Sequence, residues 1–311
     1  MKTTLQKALE RYLVFRRSLG FKLRDHGRAL PKFITFLHSQ DAEFITTELA
    51  LTWAQQPHDV QQAHHAKRLS MVRDFARYLS ASDPRTQIPP QGLLPAQPQR
   101  TQPYIYSSEE ILGLIQEASR LQPPDAIRPH TYSTLFGLLA VSGMRISEAV
   151  GLDCSDVDLD EGILTVRESK FNKTRIIPVH SSTQHRLRTY ARRRDRLLPV
   201  RSSPGFFVSD RTTRLHPDTV RYTFIRASRQ VGLRGATDSH GPRLQDMRHT
   251  FAVKTLINWH RAGIDPEQRL PLLSAYLGHA KVSDTYWYLS AVPELMEVVS
   301  TRLDNLFGAI S

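Results

Sequence analysis

YSTLFGLLAVSGMRISEAVGL (132–152) decides how this chain is read. Residues 132–141 are predominantly apolar and predict a buried helix. Gly143 suits the left-handed residue that ends such a helix. Arg145 then stands near a new helix beginning at about Ser147, with Glu148 three residues on and on the same helical side. A planar guanidinium matches two non-bridging phosphate oxygens, which a lysine ammonium does not. Arg145 is therefore a candidate phosphate clamp and Glu148 its brace. An Arg-x-x-Glu pair is also a common structural ion pair, and the pair alone does not separate the two roles.

Three further stretches carry candidate chemistry. ILTVRESKFNKTRIIPV (163–179) reads as two short strands joined by a polar turn. Lys170 and Lys173 lie in that turn, where a mobile ammonium can reach a leaving oxygen or simply be solvated. PRLQDMRHTFAV (242–253) supplies Arg248 and His249. LLSAYLGHAKVSDTYWYLS (272–290) places His279 after Leu277 and Gly278, with Tyr288 nine residues beyond. Tyr286 competes with Tyr288 as nucleophile. Aromatic packing around Trp287 explains both equally well when this stretch is taken alone. Helices are expected at 181–196, 217–230, 246–260 and 269–277. Another opens at Ser107 or Ser108, with Glu109 and Glu110 in its first turn.

Together these boxes resemble the tyrosine recombinase (phage integrase) family, across roughly residues 106–311. Ser-Gly-Met-Arg-Ile-Ser-Glu is similar to the family's first arginine box. The hairpin, aligned on the family's Lys-Gly-Asn-Lys-x-Arg, selects Lys170 over Lys173. Residues 245–249 resemble His-x-x-Arg-His, with Gln245 where histidine is usual. Gln245 can donate a hydrogen bond to phosphate but cannot carry a proton. His240 is nearby, at the wrong offset to replace it. The offset from Leu-Gly-His selects Tyr288.

The resemblance implies a site-specific recombinase or integrase. Tyr288 would attack a DNA phosphate and form a 3′-phosphotyrosyl link, while Arg145 and Arg248 hold the phosphate and His279 orients it. Lys170 would protonate the leaving 5′ oxygen. The energy of the broken bond is kept in the link, so no metal, ATP or other cofactor is expected. Implied partners are double-stranded DNA with paired core sites and further copies of the chain: a homo-tetramer on DNA, a monomer or dimer when free. The segment TYWYLS followed by AVPEL is similar to transposon- and plasmid-borne members.

The bulk properties fit a nucleic-acid partner. A net charge of +12 over 311 residues favours a polyanion. Cys154 is the only cysteine, which excludes an internal disulfide framework. No apolar run approaches the ~20 residues needed to span a bilayer, so no membrane partner and a cytoplasmic location are expected. The fold class expected is mainly α with a small β-sheet (α+β). A helical, DNA-binding (core-binding) domain is expected at 1–81, a Pro/Gln-rich linker at 82–105 and a catalytic domain at 106–311.

The first region holds 13 Lys and Arg against 7 Asp and Glu, an excess that suits a DNA backbone. Its apolar stripes are Leu5, Ala8, Leu9, Tyr12 and Leu13; Ala29, Phe33, Phe36 and Leu37; and Ala66, Leu69, Val72, Phe75, Ala76 and Leu79. Lys67, Arg68, Arg73 and Arg77 interleave the third stripe as candidate DNA contacts. A last stripe, Leu295, Val299, Leu303 and Leu306 or Phe307, reads as a C-terminal helix that packs on its own domain or docks on a neighbour. Two other readings share parts of this pattern: a type IB topoisomerase, and a non-catalytic DNA-binding protein on a recombinase scaffold.

Overall fold

The computed structural model describes residues 4–96, 102–167, 174–200 and 202–291. The expected turn lysines Lys170 and Lys173, residues 97–101 of the linker and the C-terminal stripe lie outside the described residues. The chain divides into two compact units, Met1–Thr101 and Gln102–Ser311. The described residues are mainly helical, with one small antiparallel sheet. No helix among them is long and apolar enough to cross a membrane.

The first unit contains α1 (Thr4–Ser18), α2 (Arg24–Ser39), α3 (Thr47–Gln55) and α4 (Gln62–Leu79). α4 packs against the other three. The core face of α2 is Leu30, Phe33, Ile34 and Leu37, all buried. Ala29 and Phe36, read as part of that face, are only partly buried against it. The spacing i, i+3, i+4, i+7 from Leu30 is the one that fits a single helical side. α3 was not expected. Thr46 caps it by accepting the Leu49 N–H at 3.2 Å, and it buries Ala50, Trp53 and Ala54. Beyond α4, Gln87 N–H donates to Ile45 O at 2.8 Å and its side chain accepts from Thr47 N–H at 2.9 Å. These bonds hold the extended backbone around residue 87 on the helices of this unit.

In the second unit, α5 (Ser108–Ser119) starts at Ser107 with a reciprocal cap. The Ser107 hydroxyl accepts the Glu110 N–H at 3.1 Å, and the Glu110 carboxylate accepts the Ser107 N–H at 2.8 Å. α6 (Arg128–Ser142) is the central helix. It packs against α5, α7 (Ile146–Ala149), α8 (Ser181–Leu197) and α10 (Asp246–Arg261). That enclosure explains why its apolar residues do not confine themselves to one stripe: Leu135, Phe136, Leu138 and Leu139 are all buried. Phe136 meets Phe224 of α9 (Pro217–Gln230) edge-on, with ring centroids 5.7 Å apart.

The sheet has the order β1-β2-β3, from β1 (Val157–Asp158), β2 (Ile163–Val166) and β3 (Arg175–Pro178). Leu164 pairs with Ile177 and Val166 with Arg175 in antiparallel register. Alternate residues Leu164, Val166 and Ile177 point into the core, while Ile176 is exposed. α11 (Pro266–Leu277) packs on β3, on α10 and on α12 (Ser283–Ala291).

Phe136→Ala empties the centre of this core and is expected to cost about 3–5 kcal/mol. Urea unfolding should show a lower midpoint for the second unit's transition.

Candidate active site

α6 ends where Gly143 adopts φ 59°. A Cβ there would lie 2.6 Å from Phe251 Cδ1 and 3.2 Å from Leu277 Cδ2. Only glycine combines that backbone with that closeness. The turn it makes delivers Arg145 to the start of α7. The Arg145 N–H donates to Glu148 Oε2 at 2.8 Å, and its Nη1 donates to Glu148 Oε1 at 2.8 Å.

Glu148 also receives Arg175 of β3 in a two-pronged pair, Nη1 to Oε1 at 3.1 Å and Nη2 to Oε2 at 2.7 Å. The side chains of Glu148 and Arg175 are only 7% and 11% exposed. Burial acts to raise the Glu148 pKa, but the hydrogen bond and charge of Arg175 and the hydrogen bonds from Arg145 prevail and hold it below the usual carboxylate range.

The same arginines converge on the carboxyl end of α11. A helix leaves its last carbonyls unpaired and carries partial negative charge there. Arg175 Nε donates to Tyr276 O at 2.8 Å. Arg248 Nη2 donates to Leu277 O at 2.6 Å, and Arg145 Nη1 reaches the same oxygen at 3.5 Å. Arg145 Nη2 donates to Gly278 O at 3.2 Å. Arg248 Nη1 donates to Gly143 O at 2.9 Å, tying α10 to the α6 turn. Burial and then the neighbouring Arg145 lower the Arg248 pKa to about 10, so it remains cationic at neutral pH.

Gly278, with φ 66°, turns the chain from α11 into His279. His279 Nδ1 shares a hydrogen bond of 2.7 Å with Thr285 Oγ1, which is fully buried. Tyr288 lies against His249, His279 and Trp287, with centroids at 5.5, 6.3 and 5.4 Å. Its hydroxyl shares a 2.8 Å hydrogen bond with His249 Nδ1. Tyr288 is 2% exposed, whereas its rival Tyr286 is 48% exposed. Burial lowers both imidazoles to about pKa 4. Asp246 at His249 and Asp284 at His279 only partly counter this, and burial leaves both rings neutral at pH 7.

The structure therefore brings Arg145, Glu148, Arg248, His249, His279 and Tyr288 together. Gln245 immediately precedes α10 and is exposed. Lys170 lies outside the described residues. Arg175 closes the Lys-Phe-Asn-Lys-Thr-Arg stretch aligned on the family's hairpin, but the sequence assigns it no role in the site. Its signal was a charge opening an otherwise apolar strand.

In the first unit, the four basic residues of α4 each have a partner there. Lys67 pairs with Asp25 at 2.6 Å and Arg77 with Asp74 at 3.5 Å. Arg68 lies 3.7 Å over the Trp53 ring and donates to Trp53 O. Arg73 donates to Pro89 O and Pro90 O.

The phage integrase family matches residues 106–294, the segment that holds every member of this cluster. The chain belongs to that family, the tyrosine recombinases. It is 51% identical to "Putative integrase/recombinase y4rB" of Sinorhizobium fredii, over 97% of this chain and 98% of that protein. Among solved structures, XerH recombinase bound to palindromic difH substrate as a post-cleavage complex aligns with a TM-score of 0.61. That match has 18% identity and covers 82% of this chain and 72% of XerH. The lambda integrase tetramer bound to a Holliday junction aligns with a TM-score of 0.58 at 20% identity, covering 90% and 78% of the two chains. The tyrosine recombinase fold thus extends over most of the chain, and strand cutting and rejoining is the general activity that goes with it.

Glu148→Ala leaves two guanidiniums without their carboxylate and is expected to cost about 3–5 kcal/mol, read by urea unfolding. The Glu148 pKa is depressed on folding. Its stabilisation is therefore complete above the unfolded value of ~4.3 and is lost as pH falls through the lower folded value. Wild-type stability should fall across that acid window, and Glu148→Gln should flatten the slope.

Proposed function

We propose that the chain cuts and rejoins DNA at specific sites, with Tyr288 as nucleophile and a 3′-phosphotyrosyl intermediate. The observation that carries this reading is the placement of the Tyr288 hydroxyl, 2.8 Å from His249, on a helix whose preceding residue is the clamp Arg248. Arg145 and Arg248 reach the same carbonyl oxygen, so a phosphate beside that point meets two cations. They stabilise the charge that builds on the non-bridging oxygens in the transition state. Neutral His279, fixed through Nδ1 by Thr285, offers Nε2–H to a phosphate oxygen. Gln245 adds an uncharged hydrogen bond, and Lys170 protonates the 5′ oxygen. The phosphotyrosyl link conserves the energy of the broken bond, so rejoining needs neither ATP nor a metal.

The partner is duplex DNA carrying paired core sites, bound by four copies of the chain. Two solved relatives support this: one is bound to its difH substrate, the other is a tetramer on a Holliday junction. In the first unit, Lys67 and Arg77 are the better phosphate contacts. Their ion pairs are more than half exposed on the basic side and contribute little to stability, so a phosphate displaces them readily. Arg68 and Arg73 serve mainly to hold their own unit together.

A nicked suicide duplex tests the chemistry. Wild-type protein should become covalently attached to the DNA, and Tyr288→Phe should not. Arg248→Ala should slow attachment by about 10²-fold or more. Exchange of strands between two duplexes, rather than relaxation of a supercoiled one, identifies a recombinase rather than a topoisomerase. For the first unit, Lys67→Ala should reduce the salt dependence of DNA affinity by about one unit of slope. Arg68→Ala should instead lower the melting temperature and leave that slope nearly unchanged.

A further inference from the structure

We infer that His249 is the base that takes the phenolic proton of Tyr288 as its oxygen attacks phosphorus. The inference rests on the strand-cleavage reading above and adds to it a proton acceptor. The 2.8 Å separation of His249 Nδ1 from Tyr288 Oη is one across which a proton passes directly. Packing fixes the approach, because Trp287 meets the imidazole edge-on with centroids 5.8 Å apart.

The other candidates are less well placed. Gln245 stands one helical turn before His249, and an amide does not accept a proton at neutral pH. His279 has its Nδ1 engaged by Thr285, and its ring lies nearly parallel to that of Tyr288, with planes 18° apart. That face-to-face arrangement is not a hydrogen-bonding approach to the hydroxyl.

The groups that bear on His249 are Asp246, which favours its protonation, and Arg243 and Arg248, which oppose it. His279 and Tyr288 complete the surroundings. Burial keeps the ring neutral, so Nδ1 is open to a proton, but it also lowers the basicity of the ring. An arriving phosphate adds negative charge beside the clamp, which raises the basicity of the imidazole.

The step balances. Tyr288 Oη bonds to phosphorus as its proton moves to Nδ1, on a ring whose Nε2 already carries hydrogen, giving imidazolium. The bond from phosphorus to the 5′ oxygen breaks, and that oxygen takes a proton from Lys170. In rejoining, the attacking 5′-hydroxyl returns its proton to Lys170. Tyr288 regains its own from His249, and both bases are restored.

The test uses a nicked duplex selected from a random pool by binding to the full-length wild-type protein. Sulfur replaces the leaving 5′ oxygen, so that departure needs no proton. His249→Ala should bind this duplex like wild type yet form the covalent adduct about 10²-fold more slowly. Added imidazole should restore the rate in proportion to its unprotonated fraction, which a purely positioning role does not predict. Cleavage by His249→Ala at the wild-type rate or faster, as a latch on a resting tyrosine predicts, overturns the proposal. So does a slow, folded variant that imidazole fails to rescue. Should the alanine variant not fold, His249→Gln keeps an acceptor but takes no proton: slow cleavage supports the base, and wild-type cleavage overturns it. A wild-type protein that forms no adduct, or a Tyr288→Phe variant that still forms one, overturns the strand-cleavage reading and this proposal with it.

Discussion

The carboxyl end of α11 is where the second unit is knotted together. Helices α6, α10 and α11, the α7 turn and strand β3 all send a group to it or present one there. Three guanidiniums supply the hydrogen bonds that its open carbonyls lack. Like charges so close repel, and the arrangement holds because Glu148 lies between Arg145 and Arg175 and accepts from both. A buried carboxylate without those partners would be expelled or protonated. With them it fixes the distance between Arg145 and strand β3.

Much of this was legible in the sequence because the signals are local. The apolar run ending at Gly143 gave α6 and its stop, since a left-handed glycine after a helix has few other uses. The cap at Ser107, the strands around the polar turn and the helices α8 to α11 likewise follow from patterns only a few residues long. Short or non-local features were harder. α3, with nine residues, offers barely two turns of periodicity. On α2, Leu30 and Ile34 take the buried places of Ala29 and Phe36, which are apolar too and pack only partly buried against the same core.

The site shows the same division. Arg145, Arg248, His279 and Tyr288 stood out through motif and offset. Arg175 ends the aligned hairpin motif, but its role stayed hidden because a charge in a short strand usually faces solvent, and its partner Glu148 is 27 residues away. The basic residues of α4 were read as one set. Arg77 pairs locally with Asp74, but Arg68 and Lys67 differ through contacts 15 and 42 residues distant in sequence: Arg68 is stacked on Trp53, while Lys67 is paired at the surface with Asp25. No spacing rule distinguishes them.

The guanidiniums of Arg145 and Arg248, the proposed phosphate clamps, are already held in place by the backbone carbonyls of residues 143, 277 and 278. Their rotational freedom is surrendered when the chain folds, so a phosphate bound there, as proposed, would cost little further entropy in ordering them. Rigidity and reactivity therefore share the same bonds. On the proposed reading, a substitution that loosens this end of α11 weakens the resting protein and its grip on DNA together, and variants selected for durability at these positions will not trade one property against the other.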